Sequence, residues 1–363
     1  MDLARLVSTD AGQETAVPPI YCPIPPAVHP AVDLVDRRAL DWMRCRGLCP
    51  DDQALAKLAR INCGGLVARL FPTGTEHALE TITKFCYWGF VLDDIVEALA
   101  HESLLTVTDR HLRLMRLLDA PHSTVLTDDP FAQAFREIRA SIGELASPAV
   151  YRRWIELHRG FTLGVLWAAA YRQAETVPDP DAVTLIRPAD AGASSYGIGL
   201  MEAAGDFEVP AEKLDRPDVR LLVDITSVIL AWDNDIYSCF REAERPVQSI
   251  NLVSALARHR DLDPRCALAE AIRMRNRAMY SYLRHRSRFP DDGDQPLHRY
   301  VRGLDHQIRG NLDWGLHATH RYLTTSNGSP ALALCERPSR RIHGHDLTEP
   351  VDLPSIRWWW DRP

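Results

Sequence analysis

Long stretches of the chain space their apolar side chains three and four residues apart, the period of an α-helix. In 107–118, Leu112, Met115, Leu117 and Leu118 alternate with Arg110, Arg113 and Arg116, which predicts one apolar and one basic face. Segment 265–283 repeats the spacing with alanine-rich filling of high helix propensity. Alternation with period two is scarce, and neither a hairpin signal nor a repeat of roughly 20–50 residues stands out.

The 25 prolines divide the pattern. Six lie in PPIYCPIPPAVHP (Pro18 to Pro30), and five lie from Pro330 onward. Proline removes a backbone donor and pushes its predecessor out of the helical region, so both ends read as extended or irregular. Between them, windows 51–71, 73–120, 131–147, 149–177, 218–245, 265–289 and 297–329 contain no proline. Each predicts helix, ending where a proline punctuates the chain. The expectation is an all-α chain: a Pro-rich extended segment over 1–30, a helical domain over 31–325 and a loose, irregular tail over 326–363.

Composition adds exclusions. Over 363 residues the chain is 46% hydrophobic and 25% charged, with a formal charge of −7. That balance excludes a mainly disordered chain, and the mild acidity argues against nucleic acid as a partner. The longest nearly uncharged apolar stretch, Phe161 to Tyr171, is about half of a membrane span, so no membrane span is expected. The eight cysteines show no C-x-x-C spacing, and the first residues lack the apolar core of a signal peptide. A cytoplasmic protein with reduced, mostly buried thiols is the expectation.

Two helical windows carry candidate chemistry. FCYWGFVLDDIVEALA (85–100) sets Asp93, Asp94 and Glu97 into a strongly apolar helix. Asp93 and Glu97 are one turn apart on one face, where their carboxylates repel each other. A hard cation such as Mg²⁺ would relieve that repulsion, while a solvated acidic face is the plain alternative. In AWDNDIYSCFREAE (231–244), Asn234, Ser238 and Glu242 follow at i, i+4 and i+8. At 100° per residue they drift only about 40° per step, so their oxygens can converge on one ion.

Together these motifs resemble those of the bacterial class I terpene synthases (terpene cyclases). The family's D-D-x-x-D/E motif is matched by Asp93, Asp94 and Glu97, and its N-D-x-x-S-x-x-x-E motif by Asn234, Asp235, Ser238 and Glu242. Arg187 resembles the arginine that senses diphosphate, Asp190 and Ala191 its linker and effector positions, and Arg321 with Tyr322 the C-terminal Arg-Tyr pair. Two positions vary: the third acidic residue is Glu97, and Arg241 stands where lysine is common. Pro188 directly after Arg187 predicts a helix break there.

The resemblance implies a single-domain antiparallel helical bundle around a central apolar cavity. It implies a Mg²⁺-dependent lyase, with three ions per active site, that ionises a linear prenyl diphosphate and cyclises the carbocation. Farnesyl diphosphate is the expected substrate and a sesquiterpene the product. A diterpene synthase using geranylgeranyl diphosphate is the alternative, ahead of a chain-elongating prenyltransferase or a non-catalytic helical scaffold. Arg187, Arg241, Arg321 and Tyr322 would donate to the diphosphate, and the enzyme would be a monomer or homodimer. Cation–π stabilisation calls for aromatic walls, for which Phe85, Trp88, Phe90, Trp232 and Trp314 are candidates. The Pro-rich lead is similar to segments that pack over the entrance of some bacterial cyclases. The run Trp358 to Trp360 would either dock on the body or cover the mouth of the site.

Overall fold

A computed structural model describes residues 17–100, 103–242, 250–289, 296–322, 338–341 and 347–362, the side chains of Glu97 and Ala100 apart. In chain order the helices are α1 (Val32–Cys45), α2 (Asp52–Ala59), α3 (Cys63–Leu70), α4 (Glu76–Ala100), α5 (Leu104–Asp119), α6 (Pro130–Leu145) and α7 (Pro148–Gln173). They continue with α8 (Pro180–Asp190), α9 (Met201–Gly205), α10 (Ala211–Leu214), α11 (Pro217–Glu242), α12 (Leu252–His259), α13 (Pro264–Arg286) and α14 (Pro296–Asp313). Among the described residues the one β-type feature is an isolated bridge between Tyr21 and Ser339. The fold is all-α.

The prolines do more than end helices. Pro130, Pro148, Pro180 and Pro264 each open one, and the preceding Asp129, Ser147, Asp179 or Asp263 accepts from the first free backbone N–H groups. Proline suits that position because its missing N–H would have no helical partner and its φ is already helical. The window 73–120 divides into α4 and α5 without proline, with Ser103 capping α5 by accepting from Thr106 N. On α5 the buried side carries Val107, His111, Leu114, Leu117 and Leu118. Leu112, expected on that face, is 58% exposed, because the helix docks about one residue out of the phase read from its leucines and arginines.

Helix α11 packs on α13, α14 and α8, while α4 packs on α1, α6 and α3. Trp88, Trp154, Trp232, Trp314 and Trp359 are all essentially fully buried, so the core is built around tryptophan. Trp88 stacks between Phe131 and Phe135 at 4.5 and 4.6 Å and donates its N–H to the Phe131 carbonyl at 3.0 Å. That pairing satisfies the polar handle a buried indole brings with it.

Both irregular ends are tied to this core. The Pro-rich lead runs along α13 and α14: Tyr21 N donates to Asn276 Oδ1 at 2.8 Å, and Arg309 Nη1 donates to the Ile24 carbonyl at 2.6 Å. Buried Arg275 donates to the Tyr21 carbonyl and holds Asp233 through two hydrogen bonds of 2.7 and 3.1 Å. Among the described residues of the lead, 17–30, none lines the cavity described below. The described part of the tail is docked rather than loose, with Val351, Leu353, Ile356 and Trp359 buried. Trp359 donates to Asp224 Oδ2 at 2.8 Å on α11, and Ser355 donates through N and Oγ to Asp181 Oδ1 on α8. Of the two fates open to the tryptophan run, docking on the body is the one observed; Trp358 is 39% exposed and Trp360 stacks on Trp359.

Candidate active site

One cavity of about 610 Å³ opens between α4 and α11. Its size falls within the roughly 300–1,000 Å³ usual for small-molecule sites. The acidic motif borders it through Asp93 and Asp94, whose side chains are 48% and 40% exposed. Glu97 lies on the same helix, and its side chain is outside the described residues. From the facing side come Asn234, Arg241 and Glu242 of α11. The walls come close at the mouth, where Arg241 Nη2 lies 4.0 Å from Asp94 Oδ1. Ser238 is buried and does not border the cavity; Asn251 Nδ2 lies 3.4 Å from its hydroxyl.

Arg187 is the electrostatic centre of the α8–α11 contact. It donates through Nε to Asp235 Oδ1 at 2.8 Å, through Nη1 to Asp190 Oδ2 at 2.7 Å and through Nη2 to Asn234 Oδ1 at 2.8 Å. Burial alone would lower its pKa, but the Asp235 and Asp190 carboxylates outweigh burial and raise it, so the guanidinium stays charged. Burial pushes the Asp235 carboxyl up to about 7 against the pull of Arg187 and of the Leu252 N–H. The helix does not break at Pro188. It runs through that residue to Asp190, ends at Ala191, and turns at Gly192 with φ +73° into a π turn over Ala193–Gly197. Proline forfeits one helical hydrogen bond but tolerates helical φ, so the chain turns where Gly192 permits a left-handed residue. Ala191 borders the cavity.

Arg321 closes the opposite corner. Its Nη2 donates to Asp94 Oδ1 at 3.0 Å and lies 3.4 Å from Asp93 Oδ2, and its guanidinium sits 5.0 Å from the Phe90 ring centre. Its Nε–H is buried without a partner among the described residues. A buried guanidinium with a spare donor is a place for an anion, since leaving such a group unpaired costs about 1–3 kcal/mol. Tyr322 borders the cavity beside it.

The candidate aromatic walls divide. Phe90 and Trp314 border the cavity, whereas Phe85, Trp88 and Trp232, expected there too, are fully buried in the core. Trp88 is claimed by its stack with Phe131 and Phe135, and Phe85 by Tyr196, which stands between it and the cavity at 4.1 Å. Phe161 and Tyr196 supply the aromatic surface instead. Sequence reasoning passed over these two, and also Lys57 and Arg60, which add positive charge at the cavity from around α2. It passed over Asn251 as well, although Asn-Leu-Val-Ser opening a helical stretch is a capping signal.

Asn251 caps α12, accepting from Val253 N at 2.8 Å, while its amide donates to Glu242 Oε2 at 3.0 Å and to the Asp235 carbonyl at 2.9 Å. Asp235 Oδ2 in turn accepts from Leu252 N at 2.8 Å. The start of α12 therefore orients the cavity end of α11. Oxygen donors on two walls, carboxylates together with an amide, suit a hard divalent cation.

Comparison with known proteins agrees with this architecture. Residues 84–280 match the family described as "Terpene synthase family 2, C-terminal metal binding". Spiroviolene synthase of Streptomyces violens is 32% identical, covering 96% of this chain and 97% of its own. Bonnadiene synthase of Allokutzneria albata is 29% identical over 96% and 98%. Among solved structures, the SVS_A2 protein from ancestral sequence reconstruction superposes with a TM-score of 0.79 at 29% identity, covering 95% of this chain and 99% of its own. The 2-methylisoborneol synthase of Streptomyces coelicolor A3(2), at 22% identity and a TM-score of 0.76, shares the fold. The chain belongs to the bacterial class I terpene synthases, lyases that act on prenyl diphosphates.

Proposed function

We propose that this enzyme is a Mg²⁺-dependent sesquiterpene cyclase that ionises farnesyl diphosphate, cyclises the resulting cation and releases diphosphate. The observation that carries the reading is the meeting of an acidic wall (Asp93, Asp94) and an oxygen-rich wall (Asn234, Glu242) over one cavity with Arg187, Arg241 and Arg321 between them. Asp93, Asp94 and Glu97 would hold metal on one side, and Asn234, Ser238 and Glu242 on the other, three ions in all. Bound there, Mg²⁺ would neutralise diphosphate oxygens and make diphosphate a tolerable leaving group.

The chain's own groups divide the remaining work. Arg187, Arg241, Arg321 and Tyr322 donate hydrogen bonds to the diphosphate and keep it after the bond breaks. Arg187 is already gripped by Asp190 and Asp235, so its geometry is set before substrate arrives. Asp190 links it to Ala191 at the helix break, and the shift of that break is how substrate binding would be felt in the cavity. Below this polar rim, Phe90, Phe161, Tyr196 and Trp314 give the cation an aromatic enclosure that excludes water.

Fifteen-carbon substrate is favoured by two relatives whose names specify (2E,6E)-farnesyl diphosphate: (+)-T-muurolol synthase of Streptomyces clavuligerus at 30% identity, and 4-epi-cubebol synthase of Streptosporangium roseum at 27%. The second reading, a geranylgeranyl diphosphate cyclase, is favoured by a 26% identical diterpene cyclase of a Streptomyces species. Among the described residues no helix is long and apolar enough to cross a membrane. A cytoplasmic enzyme acting as monomer or dimer fits both readings. The test is diphosphate release and product analysis with Mg²⁺ and the ten-, fifteen- and twenty-carbon diphosphates. Turnover of the fifteen-carbon substrate alone supports the first reading, preference for twenty carbons supports the second, and no release with any of them overturns both.

A further inference from the structure

A chain of side-chain hydrogen bonds leaves α11, crosses to α14 and returns to α11 at Asn234. The Asn311 amide on α14 donates through Nδ2 to the Leu230 carbonyl at 3.3 Å. Its Oδ1 accepts from the Tyr237 hydroxyl at 3.2 Å, and that hydroxyl accepts in turn from Asn234 Nδ2 at 3.3 Å. Asn234 Oδ1 then accepts from Arg187 Nη2 at 2.8 Å. Asn234 and Asn311 both border the cavity, while Tyr237 is buried between them.

The two ends fix the sense of every bond between them. A backbone carbonyl only accepts and a guanidinium only donates. Asn311 must therefore turn its NH₂ to Leu230 and its oxygen to Tyr237. The phenol must give its one proton to Asn311, which leaves a lone pair for Asn234. Asn234 must turn its NH₂ to the phenol and its oxygen to Arg187. Only that oxygen can hold a cation, so the chain selects the useful face of the amide.

The phenol is placed by packing and not by Asn234 itself. Its ring meets Trp314 edge-on at 6.2 Å and lies against Tyr322 at 5.1 Å. A Cβ on Gly315, in the π turn Trp314–Ala318 that follows α14, would collide with the ring. We propose that Tyr237 and Asn311 are positioning residues for the metal site, holding the Asn234 amide by its nitrogen so that its oxygen stays toward the cation when Arg187 turns to diphosphate. The inference rests on the metal-dependent cyclase reading. Without the nitrogen-side bond, an amide released by Arg187 would be free to rotate and present N–H to the cation.

The test uses the full chain with Mg²⁺ and inorganic diphosphate, so that metal binding is read without turnover. Tyr237→Phe keeps the ring and deletes the bridging oxygen, and Asn311→Leu deletes the next member of the chain at similar volume. In calorimetric titration with diphosphate present, Mg²⁺ affinity should fall by about 10–100-fold in Tyr237→Phe. Asn311→Leu should lose a similar factor and the double variant no more, since either change breaks the same chain. Wild-type affinity in Tyr237→Phe overturns the proposal, even where its metal-free urea midpoint falls, because that pattern belongs to a purely structural contact. Losses that multiply in the double variant overturn it as well. If Asn311→Leu does not fold, Tyr237→Phe decides alone. Wild-type protein that takes up no Mg²⁺ beside diphosphate is a separate outcome, one that overturns the metal reading itself.

Discussion

Arg187 Nη2 donates to Asn234 Oδ1 at 2.8 Å, joining residues 47 positions apart in the chain. The same guanidinium holds Asp235, so the diphosphate-sensing candidate and the second metal motif are one hydrogen-bonded unit. An arriving anion would compete with the Asn234 oxygen for Arg187, and in doing so release that oxygen to a cation. Anion and cation binding would then be coupled through a single contact.

Arg187 also stabilises the fold, and the two roles separate by substitution. Arg187→Met leaves Asp190 and buried Asp235 without their positive partner, which typically costs about 3–5 kcal/mol. Arg187→Lys keeps a charge but cannot span three acceptors with a planar fork. The lysine variant should stay folded in urea titration yet lose most diphosphate release. Full activity in it would show that the three-way grip is dispensable.

Asn251 is a positioning residue for the same motif. Asn251→Ala removes the cap of α12, at about 1 kcal/mol, together with the contact to Glu242 Oε2. Loss of such an outer contact typically weakens metal binding by about 10–100-fold. The Mg²⁺ concentration for half-maximal diphosphate release should rise accordingly, with KM for substrate at saturating metal changing less. Equal shifts in both would assign Asn251 to helix stability alone.

Much of this was legible in the chain because it depends on local spacing. Pro-free windows gave the long helices, and the i, i+4, i+8 pattern around Asn234 placed Asn234 and Glu242 at one cavity. What escaped was decided by contacts distant in sequence. Whether Phe85 or Tyr196 faces the cavity depends on how a π turn stacks one on the other. Whether Trp359 is a lid or an anchor depends on Asp224, 135 residues away. The break after Arg187 was misplaced at Pro188 because the left-handed turn belongs to Gly192, and a proline is the louder signal.

The docked tail gives a stability prediction. Trp359 is fully buried, and its indole N–H satisfies Asp224, whose carboxyl burial pushes up and the indole pulls back down. Trp359→Ala should cost about 3–5 kcal/mol, as large core truncations do. Trp359→Phe keeps most of the packing but strands the Asp224 oxygen, for about 1–3 kcal/mol. Urea midpoints ranked wild type, phenylalanine, alanine are expected. If removing 351–363 left the midpoint unchanged, the tail would be no part of the cooperative fold.

A pH dependence follows from His158, whose imidazole is buried among Phe85, Trp154 and Phe161. Burial, helped by His111 nearby, lowers its pKa to about 3, against about 6.5 in an unfolded chain. The folded state thus keeps this ring neutral where the unfolded state takes up a proton. By linkage, its contribution to stability is complete above about pH 6.5 and is lost as pH falls toward 3, at about 1.4 kcal/mol per pH unit between. His158→Gln removes that titration while leaving an amide to meet the Ser195 hydroxyl, which lies 2.8 Å from His158 Nδ1. Urea midpoints measured from pH 7 to pH 4.5 should fall more steeply for wild type than for the variant. Parallel slopes would mean that the ring is protonated in the folded protein or that water reaches it.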